Sequence, residues 1–232
     1  VAPVQLGEVM DQTKAFFLDS FGWFYQLAAS FFLLFAIFLI FSKYGKIKLG
    51  ADDDIPDFNR KTWFAMLFSA GMGIGLLFFG VSEPISHFVN PPIGEGGTPE
   101  AAKVALRYTY LHWGFHAWAI YAVIALVLAY YKFRKKKPGL MSITLSPLLG
   151  ERSKGAIGTI VDVVAVFATI FGVAASLGLG AAQINGGLNY VAGVPNNFTI
   201  QLIIIAIVTV LFLLSASTGL QRGIKYLSNA NL

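Results

Sequence analysis

The sequence predicts an all-α integral membrane protein with about five spans, and three observations predict it. Hydrophobic residues make up 56% of the 232-residue chain and charged residues 12%, with a mean hydropathy of +0.67; soluble domains carry about twice that share of charge. The apolar residues gather in charge-free runs of about the 20 residues that cross a bilayer core as a helix. The 17 Lys and Arg residues fall in alternately rich and poor segments, the pattern of loops on opposite sides of a membrane. The chain reads as one membrane domain over residues 1–232. Aromatic residues, at 15%, suit lipid-facing and interfacial positions. There is no cysteine, so disulfide and thiolate chemistry do not enter. The formal charge of +5 lies between hydrophobic runs and forms no separate basic domain, which argues against nucleic acid as a partner.

Residues 1–20 are polar to mildly amphipathic, with Glu8, Asp11, Lys14 and Asp19. The first span, 21–42, opens with Trp23 and Tyr25, which suit a membrane interface. The loop 43–61 carries five Lys/Arg and the acidic run Asp52-Asp53-Asp54. Adjacent aspartates without ligand spacing read as a solvated loop rather than a metal site. The second span, 62–82, contains Phe68-Ser-Ala-Gly-Met-Gly-Ile-Gly-Leu-Leu-Phe79. Gly71, Gly73 and Gly75 each cost a helix about 1 kcal/mol relative to alanine. In lipid, an unwound backbone persists only where protein or a polar cavity satisfies its N–H and C=O groups. The span reads either as a broken helix of the kind at which carriers hold ions and substrates, or as a packing face, since Gly71 and Gly75 form a GxxxG pair. Spacing alone leaves both open. Pro84 predicts a departure from helical geometry at Glu83, and residues 90–100 read as a turn-rich loop.

The third span, 106–131, ends in Lys132, Arg134, Lys135, Lys136 and Lys137, a basic membrane-surface flank. At about 100° per residue, Trp113, Trp118 and Tyr121 fall within an arc of about 140°. Three rings on one face suit either a cation that cannot donate hydrogen bonds or an interfacial aromatic belt. His112 and His116, at i and i+4, can bring two imidazoles to one metal, with Glu83 or His87 as a third ligand; this is the basis of a membrane metalloenzyme reading.

Residues 138–155 form a loop with a short amphipathic piece over 143–149. Residues 163–221 carry no charge, and Gly186-Gly187 and 193–197 divide them into a fourth span, 157–190, and a fifth, 198–216. Gly172, Ser176 and Gly180 predict a helix-packing face. Asp162, placed in the first turn of the fourth span, predicts a structural interaction with that helix's N-terminus. Thr169, Gln183 and Asn185 face a cavity or hydrogen-bond between helices; the sequence does not decide. The tail, with Arg222 and Lys225, begins a further helix. Lys/Arg counts of five in 43–61, seven in 132–154 and two in 217–232 put those segments in the cytoplasm. Val1 then lies outside, which implies a further span upstream.

The stretches Ala70-Gly-Met-Gly-Ile-Gly-Leu76, Ser82-Glu-Pro84 and His112-Trp-Gly-Phe-His-Ala-Trp-Ala-Ile-Tyr121 resemble motifs of the betaine/choline/carnitine transporter family. Ser176-Leu-Gly-Leu-Gly-Ala-Ala-Gln-Ile184 and Gln221-Arg-Gly-Ile-Lys-Tyr-Leu-Ser-Asn-Ala-Asn231 extend the resemblance. It looks closest to glycine-betaine transporters of Gram-positive bacteria. The resemblance implies a twelve-helix protein with a leucine-transporter-type core of two inverted repeats, of which this chain is an N-terminal-half fragment. It implies that Gly71, Met72, Gly73 and Gly75 lie against the substrate and that Trp113, Trp118 and Tyr121 surround a trimethylammonium group. The carbonyls of Ser69 and Met72 correspond to half of a sodium site, and Thr169 to a second, although Val173 stands where some relatives carry a hydroxyl. The implied function is sodium-coupled symport of a quaternary ammonium osmolyte, glycine betaine foremost, without catalysis or another cofactor, by a homotrimer in the plasma membrane. Competing readings are a choline, carnitine, ectoine or proline carrier driven by protons or exchange, the metalloenzyme, and a structural membrane subunit.

Overall fold

The computed structural model describes residues 2–218 and 220–231, with the side chains of residues 2, 3, 74, 220–222 and 231 set aside. The motif side chains of Ile74, Gln221 and Arg222 therefore lie outside the described part. All regular structure among the described residues is helical. Four helical stretches are long and apolar enough to cross a membrane: Val4–Phe41, Pro99–Arg134, Ala156–Ala192 and Phe198–Ser217. A fifth is formed if the bent pair Arg60–Gly71 and Gly75–Val89 is one span. The chain divides into two compact units, residues 1–51 with 109–139 and residues 52–108 with 140–232.

In the first unit, α1 runs from Ala2 to Phe41. The polar stretch before residue 21 thus continues the apolar helix. Its one proline, Pro3, sits in the first turn, where the missing N–H costs nothing. At 40 residues and 1.5 Å per residue, α1 is about 60 Å long, twice a bilayer core. Ser42 leaves the helix and its side chain accepts a hydrogen bond from the Tyr44 N–H, starting a 3-10 turn over Lys43–Lys46. α1 packs against α5, Phe115–Ala129. A π-helical turn, Tyr130–Arg134, closes α5, and Arg134 Nη1 donates to the Gly50 carbonyl at 2.9 Å.

The third span is one stretch, Pro99–Arg134, with a local break in its helix at Gly114. α4, Pro99–Trp113, and α5 are separated by Gly114, whose φ of −90° and ψ of −147° leave helical geometry. A Cβ at Gly114 would collide with the Tyr110 carbonyl; the close approach of that carbonyl is what calls for glycine here.

In the second unit, α2 (Arg60–Gly71) is capped by Asn59, whose side chain accepts from the Thr62 N–H at 2.9 Å. α3 (Ile74–Val89) runs straight through Pro84, contrary to the expected departure at Glu83. The crowding of a helical proline falls on the carbonyl of residue i−4, here Gly80, a residue free to tilt its peptide.

Two short helices, α6 (Met141–Thr144) and α7 (Ser146–Leu149), lead through a 3-10 turn into α8, Ala156–Ala192. Asp162 is therefore a full turn and more past the start of α8, and does not serve that helix's N-terminus as expected. Its carboxylate accepts from the Ser142 N–H at 2.9 Å and the Ser142 hydroxyl at 2.6 Å, pinning α6 to α8.

α8 also continues through Gly186-Gly187, which do not divide it, and ends at Gly193 with φ of 68°, a left-handed cap. α9 follows as Phe198–Ser217, and the tail forms α10, Leu220–Asn231, packed on α2 and α9. Buried apolar positions are mostly alanines, Ala65, Ala101, Ala105, Ala119 and Ala181, as helix contacts in lipid favour small residues. The expected packing face at Gly172 and Ser176 is exposed, with nothing within 4 Å of a Cβ at Gly172; among the described residues, α8 buries Gly158, Ala181 and Asn185 instead.

Candidate functional site

The glycine stretch breaks the second span where the sequence places its glycines. α2 ends with the Met72 N–H donating to the Phe68 carbonyl at 2.8 Å, and the next regular bond is from the Leu77 N–H to the Gly73 carbonyl at 3.2 Å. Between them Met72 takes φ −86°, ψ 46°, and Gly73 takes φ −75°, ψ 174°. The halves on either side are bent by 45°. Ser69, Ala70, Gly71 and Met72 supply the carbonyls of a helix C-terminus, and Gly73 opens the N-terminus of α3; such ends carry partial charges of opposite sign. Of the two readings of the glycines, the backbone takes the broken helix. Met72 is exposed, while Ser69, Gly71, Gly73 and Gly75 are half-buried.

Thr169 lies in the same unit, on α8, where its hydroxyl donates to the Ala165 carbonyl at 2.8 Å. The proton is thus committed to the helix, and the oxygen lone pairs remain for an acceptor role. Val173, one turn on, offers no oxygen. A hard cation takes oxygen ligands, so the carbonyls of Ser69 and Met72 and the Thr169 hydroxyl have fitting donor chemistry for sodium, and position 173 does not.

The aromatic residues belong to the first unit. Trp118 and Tyr121 share α5, their ring centroids 5.9 Å apart with planes at 45°, and both are exposed. Trp113, half-buried, ends α4 on the other side of Gly114. The same break separates His112 from His116. Within α3, Glu83 and His87 pair with each other at 3.4 Å.

Two polar residues of α8 that the sequence left undecided part company. Asn185, fully buried, donates to the Pro195 carbonyl at 3.0 Å and accepts from the Asn197 N–H at 3.1 Å, holding the α8–α9 turn. Gln183 lines an open groove of about 690 Å³ between α3 and α8, with Leu77, Ser82 and Ser86 opposite. Its Oε1 is buried and meets no hydrogen-bond donor among the described residues. The sequence names Gln183 among three polar candidates, and the packing of α3 on α8 sets it in the groove.

Helical structure throughout the described residues, with several membrane-length apolar helices and a further pair broken at a glycine cluster, defines a multi-pass membrane protein. Comparison with known proteins narrows the class. The family model described as BCCT, betaine/carnitine/choline family transporter, matches residues 1–232, and the chain belongs to that family. It is 60% identical over 233 residues to the glycine betaine transporter OpuD of Bacillus subtilis, covering 100% of this chain and 46% of the relative. It is 47% identical over 232 residues to an ectoine/hydroxyectoine transporter of Virgibacillus pantothenticus, covering 99% and 46%. It is 40% identical over 227 residues to the osmo-dependent choline transporter BetT2 of Acinetobacter baylyi, covering 98% and 32%. The chain spans about half the length of the first two of these relatives and about a third of the other. The expected likeness to a Gram-positive glycine-betaine transporter is met, and membership in a transporter family sets the metalloenzyme reading aside.

Proposed function

We propose that this chain forms part of a sodium-coupled symporter of a quaternary ammonium osmolyte, glycine betaine in the first place. The observation that carries this reading is the break at Met72–Gly73 in a chain 60% identical to a glycine betaine transporter. A helix interrupted in mid-span presents backbone carbonyls to a cation and N–H groups to an anion, and betaine brings a carboxylate while the coupling ion brings the positive charge. Trp113, Trp118 and Tyr121 take the trimethylammonium group, whose charge is spread over methyls that donate no hydrogen bond and are held by ring faces. Ser69 and Met72 hold sodium, with Thr169 as a further ligand. The carrier is a homotrimer built on two inverted repeats. Ectoine or choline transport is the second reading, supported by the names of the relatives at 47% and 40% identity.

The test is uptake by the intact protein in proteoliposomes. Labelled betaine should accumulate with an inward sodium gradient and be displaced by unlabelled betaine more strongly than by choline or ectoine. Accumulation that persists with a proton gradient alone would remove sodium, and preferential displacement by ectoine would reassign the substrate.

A further inference from the structure

We propose, on the strength of the transport function above, that Gln183 touches the cationic end of the solute as it passes between the outer surface and the break in the second span. The break, α3 and α8 all belong to the second unit. The groove between α3 and α8 begins at Leu77, whose N–H donates to the Gly73 carbonyl at 3.2 Å, so it opens one turn beyond the break. It follows α3 as far as Ser86, about 14 Å further at 1.5 Å per residue. With residues 90–100 outside, as the Lys/Arg pattern has it, the groove lies along the outer approach to the break.

Packing does not explain Gln183. Its Oε1 is buried and meets no donor among the described residues, which costs stability that an apolar side chain of similar shape would not. Asn185 on the same helix shows what a structural amide does, its nitrogen donating to the Pro195 carbonyl and its oxygen accepting from the Asn197 N–H. Nor does packing explain the neighbouring glycines. Gly186 and Gly187 line the groove inside α8, where glycine weakens a helix, yet a Cβ at either would meet nothing within 4 Å. What the pair provides is a bare, open flank beside the Gln183 oxygen. Residues that cost stability without a return in packing belong where function requires them.

The lining sets the chemistry of the visitor. Leu77, Val81 and Ile85 supply apolar walls, Ser82 and Ser86 supply hydroxyls, and no charged side chain lines the groove among the described residues. A strongly hydrated ion would lose its water here and gain no counter-charge. A methylated ammonium spreads its charge over methyl groups that bind water weakly. Apolar walls suit the methyls, and the negative end of the Gln183 amide dipole suits the charge, with C–H groups as weak donors to Oε1. At about 690 Å³ the groove has the volume of clefts that hold drug-sized ligands, more than a small osmolyte fills. That fits a solute in passage rather than one at rest.

Proteoliposomes of the intact protein test this. Gln183→Leu, which removes the amide and leaves an apolar side chain, should lower the initial rate of uptake from dilute labelled betaine about fivefold, the worth of one hydrogen-bond-like contact. Its melting midpoint in detergent should equal or exceed that of the wild type. Its Kd for betaine at equilibrium should be unchanged, because a contact made only in passage alters arrival and departure alike. Gln183→Glu, which keeps an oxygen at the same place, should retain more uptake than Gln183→Leu; a rate as low as with Leu would overturn the role of the oxygen. Wild-type protein that takes up no betaine would overturn the transport function itself, whereas a Gln183→Leu rate equal to that of a functioning wild type would overturn the role of Gln183 alone. A raised Kd would put Gln183 at the resting site, and a lowered melting midpoint would give its oxygen a structural partner elsewhere in the protein; either would overturn a role in passage.

Discussion

At Gly114 the helix leaves no room for a methyl group. The Tyr110 carbonyl occupies the place a Cβ would take, so Gly114→Ala forces the two apart, at about 1–3 kcal/mol for an overpacked contact. The intact protein should melt measurably lower in detergent; an unchanged midpoint would deny the interruption between Trp113 and Phe115. The aromatic residues respond differently. Trp118 is exposed and touches Tyr121 by its ring face and edge, so its loss costs little packing. In the cage reading Trp118→Leu weakens apparent betaine affinity about tenfold, the equivalent of 1.4 kcal/mol and within what a desolvated ring–cation contact supplies, while Trp118→Phe weakens it less. Changed insertion with normal affinity would instead mark Trp118 as part of an interfacial belt. The type of these residues was legible from sequence; the local break beside them was not. An angular repeat assumes an unbroken helix, and a lone glycine between Trp113 and Phe115 gives no sign that a carbonyl presses on it.

The broken helix is the element where sequence and backbone agree, because three glycines weaken a helix from within, whatever surrounds it. Pro84 and Gly186-Gly187 show the converse: local breakers that the helix absorbs, since in an apolar medium abandoning the backbone ladder costs more than tolerating a poor residue within it. At Gly73 the backbone φ is ordinary and a Cβ would find only the Ala70 carbonyl at 3.9 Å. Gly73→Ala should therefore fold and insert normally; a larger Gly73→Leu should do the same and, in the proposed function, abolish most betaine uptake by crowding the backbone assigned there to substrate and ion. Equal loss of membrane insertion and uptake would show that Gly73 serves packing alone. Asp162 was legible as a structural carboxylate but not as a clamp on Ser142, since its partner lies twenty residues upstream.

For the whole molecule, the charge pattern yields an orientation that can be measured directly. The 232-residue chain has no native cysteine, so cysteines introduced one at a time at Lys46, Lys136 and Gly97 are each the only thiol within it. Those at Lys46 and Lys136 should label from the cytoplasm and that at Gly97 from outside; the reverse pattern would overturn the orientation. The number and length of spans follow from composition, but the way α10 lies on α2 and α9 depends on close approach of Gly223 to Ser215, which no charge or hydropathy pattern encodes. The Asn185 bonds to the α8–α9 turn bear on how the protein is made. With Asn189 also donating to the Val194 carbonyl at 2.8 Å and Asn197 capping α9, the turn satisfies much of its polar backbone from within and carries no charge. A hairpin closed in this way can leave the translocation channel as one piece, its tip already folded, before any later helix has been synthesised.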